Sequence, residues 1–112
     1  MRVKIAIPIK DNEGLESVIS DVFSRAKYFF IGELEKERLV ESSIIENEYT
    51  SLEYGAGPLV IKMLKDKGVK VVATREIGMG ASSLLKSYGI KRIQASEGTT
   101  VKELIKLIQR EL

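Results

Sequence analysis

One arginine stands out among the residues whose chemistry could bind a ligand. Arg25 lies in the stretch from Ser17 to Ile31, and its five N–H donors suit an anionic cluster, a carboxylate or a phosphate. The same side chain could instead form a structural ion pair or cap nearby carbonyls, and the residues favour neither role. Three serines nearby could donate hydrogen bonds to the same anion or could cap a helix, namely Ser17, Ser20 and Ser24.

Two glycine-rich turns are the other candidate ligand sites. Residues 54–58 read Y-G-A-G-P and residues 75–80 read R-E-I-G-M-G, each before a predicted helix. The N–H groups at a helix start attract anions, and glycine lets a ligand approach the backbone. Taken alone, such a turn more often serves only the backbone angles that glycine permits. The candidate ligand-binding residues of these turns are Tyr54, Gly55, Gly57, Gly78 and Met79, the last as a soft metal ligand.

Histidine and cysteine are both absent from the chain. Their absence excludes disulfides, thiolate-held zinc or iron–sulfur sites and catalytic triads built on histidine. Asp11, Glu76 and Glu97 each follow a predicted strand and could meet above the sheet, as the metal-binding acids of a nuclease do. Loop acids of this kind are usually solvated, so we expect no enzymatic activity. The identity of any bound metal stays open.

Composition indicates a soluble globular protein. The 112 residues are 44% hydrophobic and 30% charged, which is typical of a single domain, here residues 1–112. No apolar run approaches the roughly 20 residues of a membrane span, and the start lacks a signal-peptide pattern, so we expect a cytoplasmic protein without a membrane partner. The net charge of +2 is too small to indicate nucleic-acid binding. Abundant Lys and Glu favour a thermophilic source.

Hydrophobic periodicity predicts alternating strands and helices over most of the chain. The spacing of Val18, Ile19, Val22 and Phe23 also permits a short helix within 15–24. Thr100 and Glu103 form a capping-box pattern before the last helix. Strands are predicted at 3–9, 27–34, 39–46, 69–73 and 90–95, and helices at 55–67, at 78–88 and after Thr100.

Two of these stretches resemble signatures of one protein family. Its first signature reads S-x-x-S-x-H-F-G-R-A-x-Y-F, and its second reads H-G-A-G-P. Val22 and Tyr54 stand where the signatures have histidine, and Ser24 stands where glycine is common. The chain thus resembles the dinitrogenase iron–molybdenum cofactor biosynthesis family over nearly its whole length. Matching residues of the first signature are Ser17, Ser20, Phe23, Arg25, Ala26, Tyr28 and Phe29.

This resemblance implies an α/β fold of ribonuclease H-like topology in three layers. The sheet would be mixed and five-stranded, in the order 3-2-1-4-5, with helices on both faces. The implied function is a non-catalytic accessory protein that carries an iron–molybdenum cofactor or a precursor iron–sulfur cluster. Without histidine or cysteine, charge and hydrogen bonds would have to hold the cluster. Two alternatives stay open: a module that binds a protein partner or a second copy through an exposed edge strand, and a binder of small phosphates or other anions.

Overall fold

A mixed five-stranded sheet organises the chain, and the computed structural model describes residues 2–112. The strand order is β3-β2-β1-β4-β5, with β1 antiparallel to β2 and parallel to β4, which confirms the expected topology. The elements in chain order are β1 (Arg2–Ile9), β2 (Tyr28–Glu35), β3 (Arg38–Glu46), α1 (Ala56–Asp66), β4 (Val69–Thr74), α2 (Met79–Ser87), β5 (Lys91–Gln94) and α3 (Val101–Glu111).

Helices cover both faces of the sheet, as expected. Helices α1 and α2 pack on one face, where Ala6, Phe29 and Val72 belong to their core cluster. Helix α3 packs on the other face against a cluster that includes Ile5 and Phe30. Successive residues of β1 alternate between the two clusters, because side chains of a strand point to opposite faces. Within residues 2–112 no helix is long and apolar enough to cross a membrane.

Local sequence signals set the ends of α3 and α1. The N–H of Glu103 donates to Thr100 Oγ1 at 3.3 Å, and the N–H of Thr100 donates to the Glu103 carboxylate at 3.1 Å, so the predicted capping box is present. Pro58 lies in the first turn of α1, where a missing N–H costs no helical hydrogen bond. Gly68 follows that helix at φ 86°, a conformation that favours glycine.

The short helix predicted within 15–24 is wrong. A single 3₁₀ turn occupies Gly14–Glu16, and the backbone then runs extended, with Ile19 bridging Ile9. Of the apolar residues that suggested one helical face, the two that are buried lie on different faces of the sheet. Ile19 belongs to the α3 layer and Phe23 to the α1–α2 layer, while Val22 remains 47% exposed. Tertiary burial therefore overrides the local spacing.

Strand β1 separates from β4 before its own end. The two strands pair from Lys4 to Ala6, and beyond that point the N–H of Ser20 donates to the Pro8 carbonyl at 2.8 Å. The segment around Ser20 thus takes the place beside β1 that β4 has left. A crevice results at the carboxyl ends of these two parallel strands, which is where α/β proteins commonly bind ligands.

Candidate functional site

The crevice at the ends of β1 and β4 contains a cavity of about 410 Å³, which we call the crevice pocket. All three stretches that the sequence marks as candidate ligand sites contribute to its wall. The first supplies Ser24 and Arg25, the second Gly57 and the third Gly78. The remaining lining residues are Val22, Phe23, Glu76, Ile77 and Ala81.

A buried amide holds the turn that carries Arg25. Asn47 is 6% exposed, and its Nδ2 donates to the carbonyls of Ser24 and Ala26, both at 2.8 Å. Its Oδ1 accepts from the N–H of Tyr49 at 3.0 Å, so the amide is satisfied at both ends. The sequence around Asn47 contains no motif that marks this residue. Its role depends on contacts more than 20 residues away in the chain, which no local pattern reveals.

Arg25 lines the pocket and also ties down the loop before α1. Its Nη1 donates to the Thr50 carbonyl at 3.0 Å, and its Nη2 donates to the Glu53 carbonyl at 3.1 Å. None of the ion pairs among residues 2–112 includes this guanidinium. Two of its five N–H donors are therefore in use, and three remain for a ligand. Arg25 therefore both caps these carbonyls and lines the pocket.

Two helix N-termini border the same cavity without side-chain caps. Helix α1 follows Gly55, which has φ 78°, and α2 follows Gly78 in an extended conformation. Neither helix has a capping side chain or an acidic residue in its first turn, whereas α3 has both. A Cβ on Gly57 would lie 3.6 Å from the Ala81 Cβ, so the two first turns lie close together. Their N–H groups and dipoles favour an anion at this part of the wall.

Ser17 and four other candidate residues lie outside the pocket lining. Ser17 is buried, and its hydroxyl accepts from the N–H of Glu13 at 2.8 Å and donates to the Asp11 carbonyl at 3.0 Å. Ser20 is 5% exposed, and its hydroxyl accepts from the N–H of Val22 at 3.2 Å, which stabilises a local turn. Tyr54 and Met79 are 82% and 89% exposed and flank the lining residues in sequence. Gly55 provides the left-handed residue that starts α1. The last four residues shape or surround the mouth of the pocket.

Charged side chains at the mouth are only partly paired. Arg75 contacts Asp21 with an N···O distance of 2.6 Å, and Lys10 lies 3.6 Å from the other oxygen of the same carboxylate. Asp21 therefore neutralises much of the positive charge that Arg75 would bring. Glu76 lines the pocket and belongs to none of the ion pairs found within 2–112.

The acids that could suggest a nuclease do not assemble. No group of three or more Asp or Glu side chains in the described chain, residues 2–112, is placed to hold a metal ion. Asp11, Glu76 and Glu97 thus remain separate loop acids. Residues 2–112 therefore do not form the two-metal site of such a nuclease, which needs several carboxylates around the ions.

Comparison with protein families decides the relationship. The family model described as dinitrogenase iron-molybdenum cofactor matches residues 1–111. The protein belongs to this family. Of the two positions where the resembled signatures have histidine, Val22 lines the crevice pocket, whereas Tyr54 is 82% exposed and lies outside its lining. This family member therefore has an apolar side chain at the one of these two positions that lines the cavity.

Solved structures share the fold of this family member. A Thermotoga protein provisionally assigned as a NifB protein is 32% identical, with a TM-score of 0.78 over 96% of this chain and 88% of the other. The apo form of the orange protein from Desulfovibrio gigas is 26% identical, with a TM-score of 0.86 over 96% and 88%. A Methanocaldococcus jannaschii protein at 18% identity and a TM-score of 0.71, over 99% and 91%, shares the fold. No protein of curated function matches the sequence.

Proposed function

We propose that the protein is a non-catalytic carrier that binds an anionic metal cluster in the crevice pocket. The cargo would be an iron–molybdenum cofactor, which the family description names, or a precursor iron–sulfur cluster. One observation carries the proposal: two uncapped helix N-termini and Arg25 surround a single cavity. Together they supply hydrogen-bond donors and positive charge without an opposing acid in either first turn.

The donor set suits reversible binding. The cavity of about 410 Å³ is within the usual size of small-ligand pockets, roughly 300–1,000 Å³. Because the chain has neither histidine nor cysteine, the protein can form no thiolate or imidazole bond to the metal. Held mainly by charge and hydrogen bonds, the cargo could leave without breaking a thiolate or imidazole bond, as a carrier requires. A small anion would use the same donors, so competition between the two ligands tests the choice.

The edge strand supports the interaction-module alternative less well. Strand β3 is nine residues long and lies at the sheet edge. Its pairing with β2 shifts register between Glu33 and Leu34, which leaves Val40 outside the ladder. A bulge of this kind twists an edge and discourages a further strand from pairing with it. We therefore base the proposed function on the crevice pocket and not on the β3 edge of the sheet.

An anaerobic titration with isolated iron–molybdenum cofactor tests the proposal. Metal that co-elutes with the protein in gel filtration would be measured for the wild type, for Arg25→Ala and for Arg110→Ala. Arg110 lies in the last turn of α3 and is exposed, so its removal matches the charge change away from the pocket. We expect about one cofactor per wild-type chain and at least tenfold weaker binding by Arg25→Ala. Arg110→Ala should bind like the wild type.

Circular dichroism and thermal unfolding show whether Arg25→Ala keeps the fold, because that change also removes the bonds to Thr50 and Glu53. Absence of cofactor from the wild type, or equal binding by a folded Arg25→Ala variant, would contradict the proposal. Displacement of bound cofactor by millimolar phosphate would instead favour the small-anion alternative.

A further inference from the structure

Glu76 is an acid in a pocket that otherwise presents donors. It lies on the loop from β4 to α2 and lines the crevice pocket with Arg25 and the first turns of two helices. Asp21, at the same mouth, is paired with Arg75 and Lys10, while Glu76 has no ion-pair partner among residues 2–112. A carboxylate at this place would repel a simple oxoanion. A ligand that also has a positive centre would suit this combination of donors and one carboxylate.

The pocket wall contains few atoms that can bind a metal. Of the nine lining residues only Glu76 and Ser24 have an oxygen in the side chain, and the others are Val, Phe, Arg, Gly, Ile or Ala. Carboxylate is the stronger ligand of the two, and it binds iron in proteins. A single carboxylate does not make a site for a free ion, and no larger acidic group exists within 2–112. The metal must therefore arrive inside a cluster that brings its other ligands.

We propose that Glu76 coordinates one metal of the anionic cluster bound in the crevice pocket, an inference that rests on the proposed function. The Glu76 carboxylate donates an electron pair to a metal ion of the cluster, and a solvent molecule leaves that coordination position. No electron or proton is transferred. Arg25 and the helix N-termini hold the negative sulfide surface, while Glu76 selects cargo with an exchangeable metal position.

The backbone beside Glu76 is anchored. The Arg75 carbonyl accepts from Arg92 Nη2 at 2.9 Å and from Gln94 Nε2 at 3.2 Å, so β5 fixes the residue before Glu76. On the other side, Gly78 starts α2 and lines the pocket. The loop thus keeps Glu76, an exposed residue, in the wall of the cavity.

Two probes separate coordination from simple charge. Glu76→Gln removes the charge and most of the metal affinity while keeping the shape, and Glu97→Gln is the matched control on the exposed loop after β5. For isolated iron–molybdenum cofactor, we expect Glu76→Gln to bind at least tenfold more weakly than the wild type. For molybdate, which has no exchangeable metal position of this kind, Glu76→Gln should bind about two- to fivefold more tightly at low salt, since a repelling charge is gone.

The cofactor measurement decides the inference. Wild-type or tighter binding of cofactor by Glu76→Gln would overturn it, whereas a weaker complex with an altered electron paramagnetic resonance spectrum supports it. Glu97→Gln should match the wild type with both probes. If Arg25→Ala loses cofactor while Glu76→Gln gains it, the carrier function stands and only coordination by Glu76 fails. If the wild type binds no cofactor, both proposals fail.

Discussion

Single residues decide how the pocket is built, and Asn47 illustrates this. Its amide joins the turn of Ser24 and Ala26 to the loop that follows β3. Arg25 makes the next link, to the carbonyls of Thr50 and Glu53 just before α1. The two side chains together connect the first and second candidate stretches. The position of the guanidinium therefore depends on a residue outside the family signatures.

Replacement of Asn47 by Ala should destabilise the protein by about 2–3 kcal/mol. The change leaves the Ser24 and Ala26 carbonyls without their donor in a site that is nearly closed to water. Chemical denaturation at neutral pH measures this loss. Asn12→Ala is the control, because Asn12 is exposed and its change should stay within about 0.5 kcal/mol. Equal effects of the two substitutions would show that Asn47 does not hold the turn.

At the scale of elements, the N-terminus of α3 has a side-chain cap, whereas those of α1 and α2 have none. Helix α3 has a complete capping box, and its first-turn N–H groups are partly satisfied within the chain. Helices α1 and α2 have glycine at the N-cap and keep these donors available at the crevice pocket. Capping stabilises a helix, so an uncapped start costs stability that a bound anion can restore.

Gly78→Asp should make the protein more stable while weakening its ligand binding. The backbone at Gly78 is extended, and a Cβ there meets nothing within 4 Å, so the side chain fits. Aspartate would cap α2 and oppose its dipole, which we expect to add about 0.5–1 kcal/mol. Its charge would also repel an anion from the pocket. Thermal unfolding and the cofactor titration check the two effects, and tighter binding by the variant would argue against an anion site at this helix.

The capping box makes the stability contributed by α3 depend on pH. The backbone N–H of Thr100, followed by its hydroxyl, lowers the pKa of Glu103 below the ordinary value of 4.5. A lowered folded-state pKa means that ionised Glu103 stabilises the protein above that ordinary value, and that the gain is lost as pH falls through the folded-state pKa. Wild type should therefore melt higher than Glu103→Gln at pH 7, and the difference in melting temperature should shrink as the pH falls below 4.5. A gap that is constant with pH would contradict this role.

At the scale of the whole molecule, one sheet separates two apolar layers that have different roles. The α3 layer joins helix and sheet through residues such as Leu104 and Ile108 and lies opposite the pocket. The α1–α2 layer includes Phe23 and Ala81, which also line the pocket. Substitutions in the first layer should thus change stability alone, while those in the second reach the ligand site as well.

The overall shape leads us to expect a monomer in solution. The bulge at Val40 interrupts the β3 edge, and β5 at the other edge is only four residues long. Small-angle scattering should give the mass of one chain and a radius of gyration slightly above the 12.6 Å of the Cα atoms, because side chains and hydration add to it. A concentration-dependent doubling of mass would revive the edge-strand alternative.

Most of the fold could be predicted from the sequence. The predicted strands and helices agree with the structure to within a few residues. The reason is that the apolar runs of β1 and β4, and the helix boundaries at Pro58, Gly68 and Thr100, depend on residues that are close in the sequence. The strand order came from the family resemblance and is confirmed. The short helix within 15–24 failed because its two buried apolar residues lie on opposite faces of the sheet.

Only part of the candidate site could be predicted from the sequence. Composition alone determined that no histidine or cysteine could bind a metal, and local motifs indicated Arg25 and the glycine turns. Only the tertiary structure decided that these stretches share one cavity, that Asn47 holds the turn that carries Arg25, and that Glu76 rather than Met79 lines the wall. The reason is physical: residue types and helix starts depend on neighbours in sequence, whereas a pocket depends on the early separation of β1 from β4 and on contacts between distant loops.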